Sequence, residues 1–143
     1  MTGTRKVSPY GVPPCSALPR CHVLVVDDDP AIALALGEVI EAYGHRVSVA
    51  NHANRALEID GGTPADVLVT DLNMPDIDGQ ELIRRLRATR PELPVIVLTG
   101  RPPLGGVRTL RGDDDAPTEL LCKPATPVEL NQALDRLIGL VAR

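Results

Sequence analysis

Asp71 closes the run Val67-Leu68-Val69-Thr70-Asp71 and is followed by Leu72-Asn73-Met74-Pro75. A carboxylate carried to the end of a buried strand by apolar, β-branched residues can act as a nucleophile or hold a metal. Three similar runs stand elsewhere in the chain. Val23–Val26 leads into Asp27, Asp28 and Asp29; Val95–Leu98 leads into Thr99; Glu119–Cys122 leads into Lys123-Pro124. Each run ends in an acid, a hydroxyl or an ammonium. In an open parallel sheet the strand C-termini emerge on one side, where ligands bind, so these groups are expected to share one pocket.

The elements that must position them can be read from periodicity. His22–Val26 is a continuous apolar strand. Pro30 suits the first turn of a helix capped by Asp29. Ile32, Leu36, Val39, Ile40 and Tyr43 form its apolar face, and Gly44 ends it. Arg46–Ala50 alternates as a strand, and a short helix around Ala53–Ile59 stops at Gly61-Gly62. Val67–Thr70 is the third strand. Asp78 and Glu81 have capping-box spacing for a helix carrying Leu82, Ile83 and Leu86. Pro91 and Pro94 close that helix before Val95–Leu98. Thr126 and Glu129 form a second capping box, opening a last helix with Val128, Ala133, Leu134, Leu137, Ile138 and Val141 inward. Such alternation of apolar strands with helices predicts a doubly wound α/β domain, its parallel sheet covered on both faces. Periodicity does not give the strand order.

Two stretches depart from this pattern. Residues 1–20 contain Pro9, Pro13, Pro14 and Pro19 and little periodic hydrophobicity, and read as a flexible tail before a domain at 21–143. Arg101–Thr118 holds Pro102, Pro103, Gly105, Gly106, Gly112 and Pro117, with only Leu104, Val107 and Leu110 as a helical stripe. A fourth helix there is expected to be short, displaced or mobile, and Asp113-Asp114-Asp115 reads as a solvated run.

Composition narrows the function classes. The chain has 143 residues, 43% hydrophobic and 24% charged, with two Tyr and no Phe or Trp, so the core must be Leu, Val, Ile and Ala. A net charge of −4 argues against a surface built to neutralise nucleic-acid phosphates. No apolar run approaches the roughly 20 residues needed to span a bilayer, and the N-terminus lacks a secretory pattern. Cys15, Cys21 and Cys122 show no metal-ligand spacing. Cys122 is expected to be buried in its strand, and a reducing cytoplasm is the simplest setting.

Taken together, Asp27-Asp28, Asp71 with Met74-Pro75 and Gly79, Thr99, and Lys123-Pro124 resemble the receiver domain of two-component response regulators, over His22 to about Ala142. The resemblance implies a flavodoxin-like receiver fold: five strands in the order 2-1-3-4-5 with five helices. It implies that Asp71 accepts a phosphoryl group from a histidine kinase or phosphotransfer protein. Asp28 and Asp71 would bind Mg²⁺ directly, Asp27 through water and Asn73 through its backbone carbonyl. Mg²⁺ suits this oxygen set, which lacks the Cys and His that zinc prefers. Thr99 and Lys123 take the family roles of hydrogen-bond donor and point charge to the phosphate. Three positions depart from the family pattern. Leu120 stands where an aromatic residue is common, Ala125 where Phe often follows Lys-Pro, and Gly100 where Ala usually follows the threonine. The phosphorylation site is therefore expected intact and the read-out surface altered.

The first expectation is a phosphoacceptor that turns over no metabolite, carries no DNA-binding output domain and acts by protein contact, as a monomer or weak homodimer. Its alternatives are the receiver portion of a larger hybrid kinase or multidomain regulator, and a non-phosphorylated scaffold with this fold. A Mg²⁺-dependent phosphohydrolase using an aspartyl phosphate needs a second Asp two residues after the nucleophile, where this chain has Asn73. A flavodoxin-like cofactor carrier is disfavoured by the missing aromatics.

Overall fold

Strands β1 (His22–Val26), β3 (Val67–Asp71) and β4 (Val95–Thr99) are buried at every position, as expected of central parallel strands covered on both faces. The computed structural model describes residues 21–101 and 116–141. With β2 (Arg46–Ala50) and β5 (Thr118–Cys122) at the edges, the five strands pair in parallel in the order β2-β1-β3-β4-β5. Helices α1 (Pro30–Ala42), α2 (Ala53–Gly62), α3 (Gly79–Thr89) and α4 (Pro127–Val141) lie between or after the strands. The fourth of five helices is expected within Arg101–Thr118; of that segment residues 102–115 lie outside the described residues, as does the tail expected at 1–20.

The period of two along each central strand divides the core. Val23, Val25, Val67, Val69, Ile96 and Leu98 face one side, where Ile40 of α1 and Leu130, Leu134 and Leu137 of α4 pack on them. Leu24, Val26, Leu68, Val95 and Val97 face the other and meet Ala53 and Ala56 of α2 and Leu82, Ile83 and Leu86 of α3. Each fully buried Leu, Ile or Val side chain is worth about 1.5–3 kcal/mol. Aliphatic packing therefore holds both layers without a single Phe or Trp.

Helix ends follow the sequence closely. Asp29 caps α1, its carboxylate accepting from Ala31 N at 2.9 Å, and Gly44 follows with φ +97°, where its missing Cβ is needed. Thr126 and Glu129 form the full reciprocal box at α4, at 2.9 and 3.1 Å. Asp78 caps α3 through Glu81 N at 2.9 Å, but the Glu81 carboxylate turns to Arg84 and Arg85 instead.

Three expectations need correction. Cys122 is exposed, because β5 is an edge strand and its residues are only half covered. On α1 the inward face is rotated: Ala33 and Gly37 are buried while Ile32 keeps 37% exposure. A Cβ at Gly37 would lie 3.1 Å from Val49 Cγ2, so small residues let α1 approach β2. On α4, Val128 is 43% exposed, and Leu130 and Asn131 take its inward place. The second helix, α2, ends at Gly62, at the glycine pair where the sequence stops it.

Candidate functional site

Strand register brings the chemistry-bearing ends together. Val26 pairs with Thr70, Asp71 with Leu98, and Thr99 with Cys122, so Asp27, Asp71, Thr99 and Lys123 leave adjacent strands at one edge of the sheet. Carboxylate oxygens of Asp27, Asp28 and Asp71 all lie within 4.8 Å of one another. Asp27 and Asp71 are buried, at 1% and 7% exposure, whereas Asp28 faces solvent.

Lys123 answers two of these acids. Its Nζ donates to Asp27 Oδ2 at 2.8 Å and lies 3.2 Å from Asp71 Oδ2. Partial burial pulls the lysine pKa down, but the hydrogen bond to Asp27 and the charges of Asp27 and Asp71 outweigh it and hold the pKa above the ordinary lysine value. The other Asp71 oxygen accepts from Asn73 N at 3.2 Å, so the carboxylate is held from both sides. Asp27 Oδ1 accepts from Asp29 N at 2.9 Å, and its backbone carbonyl from Asn51 Nδ2 at 3.4 Å.

Thr99 is fully buried. Its hydroxyl donates to Arg101 O at 3.3 Å and accepts from Arg101 N at 3.1 Å and Asn73 Nδ2 at 3.4 Å. The predicted residues thus all gather at one place. Thr99, however, spends its hydroxyl proton on the Arg101 carbonyl rather than on Asp71. Sequence reasoning missed the supporting roles of Asn51 and Arg101, whose types alone carry no signal for them. Asp29 serves as the α1 cap, as its position before Pro30 indicated.

Gly79 explains how the loop after β3 can lie so close to the site. Its N–H donates to Leu72 O at 3.0 Å, and a Cβ there would sit 2.2 Å from Asp71 O and 2.8 Å from Leu72 Cα. Both are backbone atoms that cannot rotate away. Gly79→Ala is therefore expected to cost at least about 1–3 kcal/mol, the range for overpacking a tight site, and to displace Asp71. Urea denaturation of the variant, read by circular dichroism, checks this; an unchanged midpoint would contradict the close approach.

Three carboxylates against one ammonium leave the pocket a formal charge of −2. The donors are all oxygens, and one of the three acids is open to solvent. That chemistry fits a hard divalent cation of the Mg²⁺ type, which takes few carboxylates and retains several waters. A metal bound to Asp71 would share that carboxylate with Lys123.

Comparison with known proteins agrees with this geometry. The family model described as response regulator receiver domain matches residues 23–135. The response regulator MprA of Mycobacterium ulcerans (strain Agy99) is 36% identical over 122 residues, covering 85% of this chain and 50% of the relative. This chain therefore spans about half the length of the curated relatives it matches. Among solved structures, a response regulator receiver domain protein from Clostridium thermocellum aligns with a TM-score of 0.75 at 27% identity, covering 85% of this chain and 96% of that one. The signal receiver domain of a signal transduction histidine kinase from Syntrophus aciditrophicus aligns with a TM-score of 0.73 at 29% identity, covering 86% and 93%.

Proposed function

Since this chain belongs to the response regulator receiver domain family, we propose that Asp71 accepts a phosphoryl group from a histidine kinase or histidine phosphotransfer protein. The observation that carries this reading is the buried Asp71 carboxylate, held by Asn73 N and Lys123 beside Asp27 and Asp28. A carboxylate oxygen of Asp71 attacks phosphorus, the bond from phosphorus to the donor's nitrogen breaks, and an acyl phosphate forms on the aspartate.

This chain's residues lower the barrier by position and charge. The sheet holds Asp71 fixed, so little reorganisation precedes attack. Lys123 offers a point charge to the incoming phosphoryl oxygens as its hold on Asp71 is given up. Thr99 can donate to one of those oxygens once its hydroxyl turns away from Arg101 O. Mg²⁺, when bound, supplies neutralisation of the repulsion between carboxylate and phosphoryl oxygens. Asp28 and Asp71 would hold it directly, Asp27 through water and Asn73 through its carbonyl.

The two flanking acids should separate in function. Asp28 is exposed and lies within the acid cluster, while Asp27 is buried and binds Lys123. Asp28→Asn is expected to weaken Mg²⁺ binding by at least about tenfold, since affinity follows ligand charge, and to change metal-free stability by no more than about 0.5 kcal/mol. Asp27→Asn should lower metal-free stability and weaken Mg²⁺ less. Calorimetric titration and melting of both variants measure this; equal Mg²⁺ affinity in Asp28→Asn and wild type would remove Asp28 from the metal site.

The protein turns over no metabolite in this reading and acts through contact with a protein target. A cytoplasmic setting goes with it, since the three cysteines show no CxxC spacing and a reducing compartment is the simplest one for them; no described helix is long and apolar enough to cross a membrane. The likeness to a receiver domain carried by a histidine kinase favours a second reading, in which this chain is the receiver part of a longer signalling protein. Intact-mass measurement after incubation with Mg²⁺ and a small acyl-phosphate donor tests the central claim. A single acid-stable, base-labile phosphoryl increment is expected, and its absence at saturating Mg²⁺ would overturn it.

A further inference from the structure

Helix α2 is the least anchored of the described helices, and its start rests on an imidazole. It buries only Ala53 and Ala56, whereas α3 buries Leu82, Ile83, Leu86 and Arg87 as well as Gly79. No acidic residue stands in the first turn of α2. His52 serves that turn instead: its extended backbone (φ −158°, ψ 162°) is that of a cap, and its Nδ1 accepts from Arg55 N at 3.1 Å. A backbone N–H can only donate, so Nδ1 offers its lone pair and the ring proton is on Nε2. Of the caps Asp29, His52, Asp78 and Thr126, His52 alone is of the type that changes charge between about pH 5 and 8.

The same junction holds the acidic pocket. Asp27 N donates to Ala50 O at 3.2 Å, and Asn51 Nδ2 donates to Asp27 O at 3.4 Å. Ala50, Asn51 and His52 are consecutive, so one short segment ends β2, grips the backbone of Asp27 at both its N–H and its carbonyl, and opens α2. The charged and titratable groups of the elements packed on α2 have other partners or positions. Asp27, after β1, is paired with Lys123, and Asp28 faces solvent in the acid cluster. His22 of β1 lies against Ser48 Oγ and Pro64 O. Arg46 opens β2 at the end away from His52. On α3, Glu81 is paired with Arg84 and Arg85, and Arg87 donates to Leu93 O and Pro117 O. On α2 itself, Arg55 is paired with Glu58 and Asp60 with Arg90.

We propose that His52 is a proton-sensitive clasp: in its neutral form it caps α2 and keeps Asn51 on Asp27, and on taking up a proton it releases both. A solvent proton that binds Nδ1 takes the lone pair that accepts from Arg55 N and sets two N–H donors face to face. The imidazolium also places a positive charge at the N-terminus of α2, against the helix dipole. The capped form therefore binds one proton fewer than the released form, so the first turn of α2 is held at high pH and lost as pH falls. Release there loosens the segment that grips Asp27. The pocket thus senses the proton through Asn51 rather than through its own acids, and neither phosphoryl transfer nor a metal enters this step.

Amide exchange of the full chain without metal, from about pH 8 to about pH 5, tests the clasp. Each rate is divided by that of an unstructured chain at the same pH. Protection of the Arg55 amide is expected to fall at least about fivefold in acid, the size of a lost N-cap. The Asn51 side-chain amide resonances are expected to shift in step. His52→Asn keeps a capping oxygen that takes up no proton in this range, so both signals should stay flat. His52→Ala should show low protection throughout. A flat wild-type response, or wild-type protection in His52→Ala at the alkaline end, overturns the clasp. An equal response in His52→Asn overturns it too, since His22 or His45 would then be the source. Loss of Arg55 protection with unmoved Asn51 resonances overturns the link to Asp27.

Discussion

Asp71→Asn is expected to lower the rate of phosphoryl gain by at least roughly 10³-fold, as removal of a nucleophile does, while leaving the fold in place. Asn keeps the shape of the side chain and one oxygen able to accept from Asn73 N, which now lies 3.2 Å from Asp71 Oδ1. It loses the charge that pairs with Lys123 at 3.2 Å, but Asp27 still holds that lysine at 2.8 Å. The variant should therefore melt near wild type yet show no phosphoryl mass after exposure to Mg²⁺ and a small phosphodonor. Thr70 supports the same expectation, since its hydroxyl donates to the Asp71 carbonyl at 2.9 Å and fixes the backbone whatever side chain follows. Phosphoryl gain at the wild-type rate would move the acceptor to another group, with Asp27 and Asp28 first to be examined.

The central strands and their functional tips were legible because burial on both faces demands unbroken apolar runs. Such a run makes its first polar residue conspicuous. Asp27, Asp71 and Thr99 stand out for that reason, and Lys123 by its place after the fifth strand. What escaped was everything set by neighbours distant in sequence. Cys122 directly follows Leu120 and Leu121 and reads as one more apolar position, although Glu119 already marks β5 as less covered than the central strands, and β5 has a partner on one side only. On α1 the apolar residues fit two stripes a fraction of a turn apart. The close approach of Gly37 to Val49 selects the stripe that leaves Ile32 outside.

Arg87 shows the same limit for a charged residue. Arginine is a residue type that is mostly exposed, yet this one is 8% exposed and donates to Leu93 O, Pro117 O and Thr118 Oγ1, all at 2.9 Å. A guanidinium fork can satisfy several carbonyls at once, so it ties the start of β5 to the end of α3. Only the folded chain brings those acceptors together. The Thr99 hydroxyl is a parallel case: its residue type was legible and its bond to Arg101 O was not.

Lys123→Met should expose a tension between stability and metal binding, because Met keeps much of the aliphatic stem and discards the charge. In the metal-free protein Lys123 is the cation set between Asp27 and Asp71, both buried. Removing one member of a buried pair costs about 3–5 kcal/mol. The lysine side chain is 24% exposed here, so solvent screens part of that and about 1–3 kcal/mol is expected. The pH dependence has a definite sign. The folded-state pKa of Lys123 is raised, so its contribution is fully present below the ordinary lysine value near 10.5 and is lost only as pH climbs through the higher folded value. The deficit of the variant should hence be constant through neutral pH and shrink in strong alkali. Mg²⁺ should narrow the gap between the two proteins at neutral pH. With no ammonium competing for Asp71, the variant is expected to bind the cation more tightly and to regain most of its lost stability when it is saturated. Phosphoryl gain should nevertheless fall, because the charge awaiting the phosphoryl oxygens is gone. Melting curves with and without Mg²⁺ across the pH range decide the matter. Equal stability of variant and wild type without metal would show that the Lys123 bridges contribute nothing to the fold.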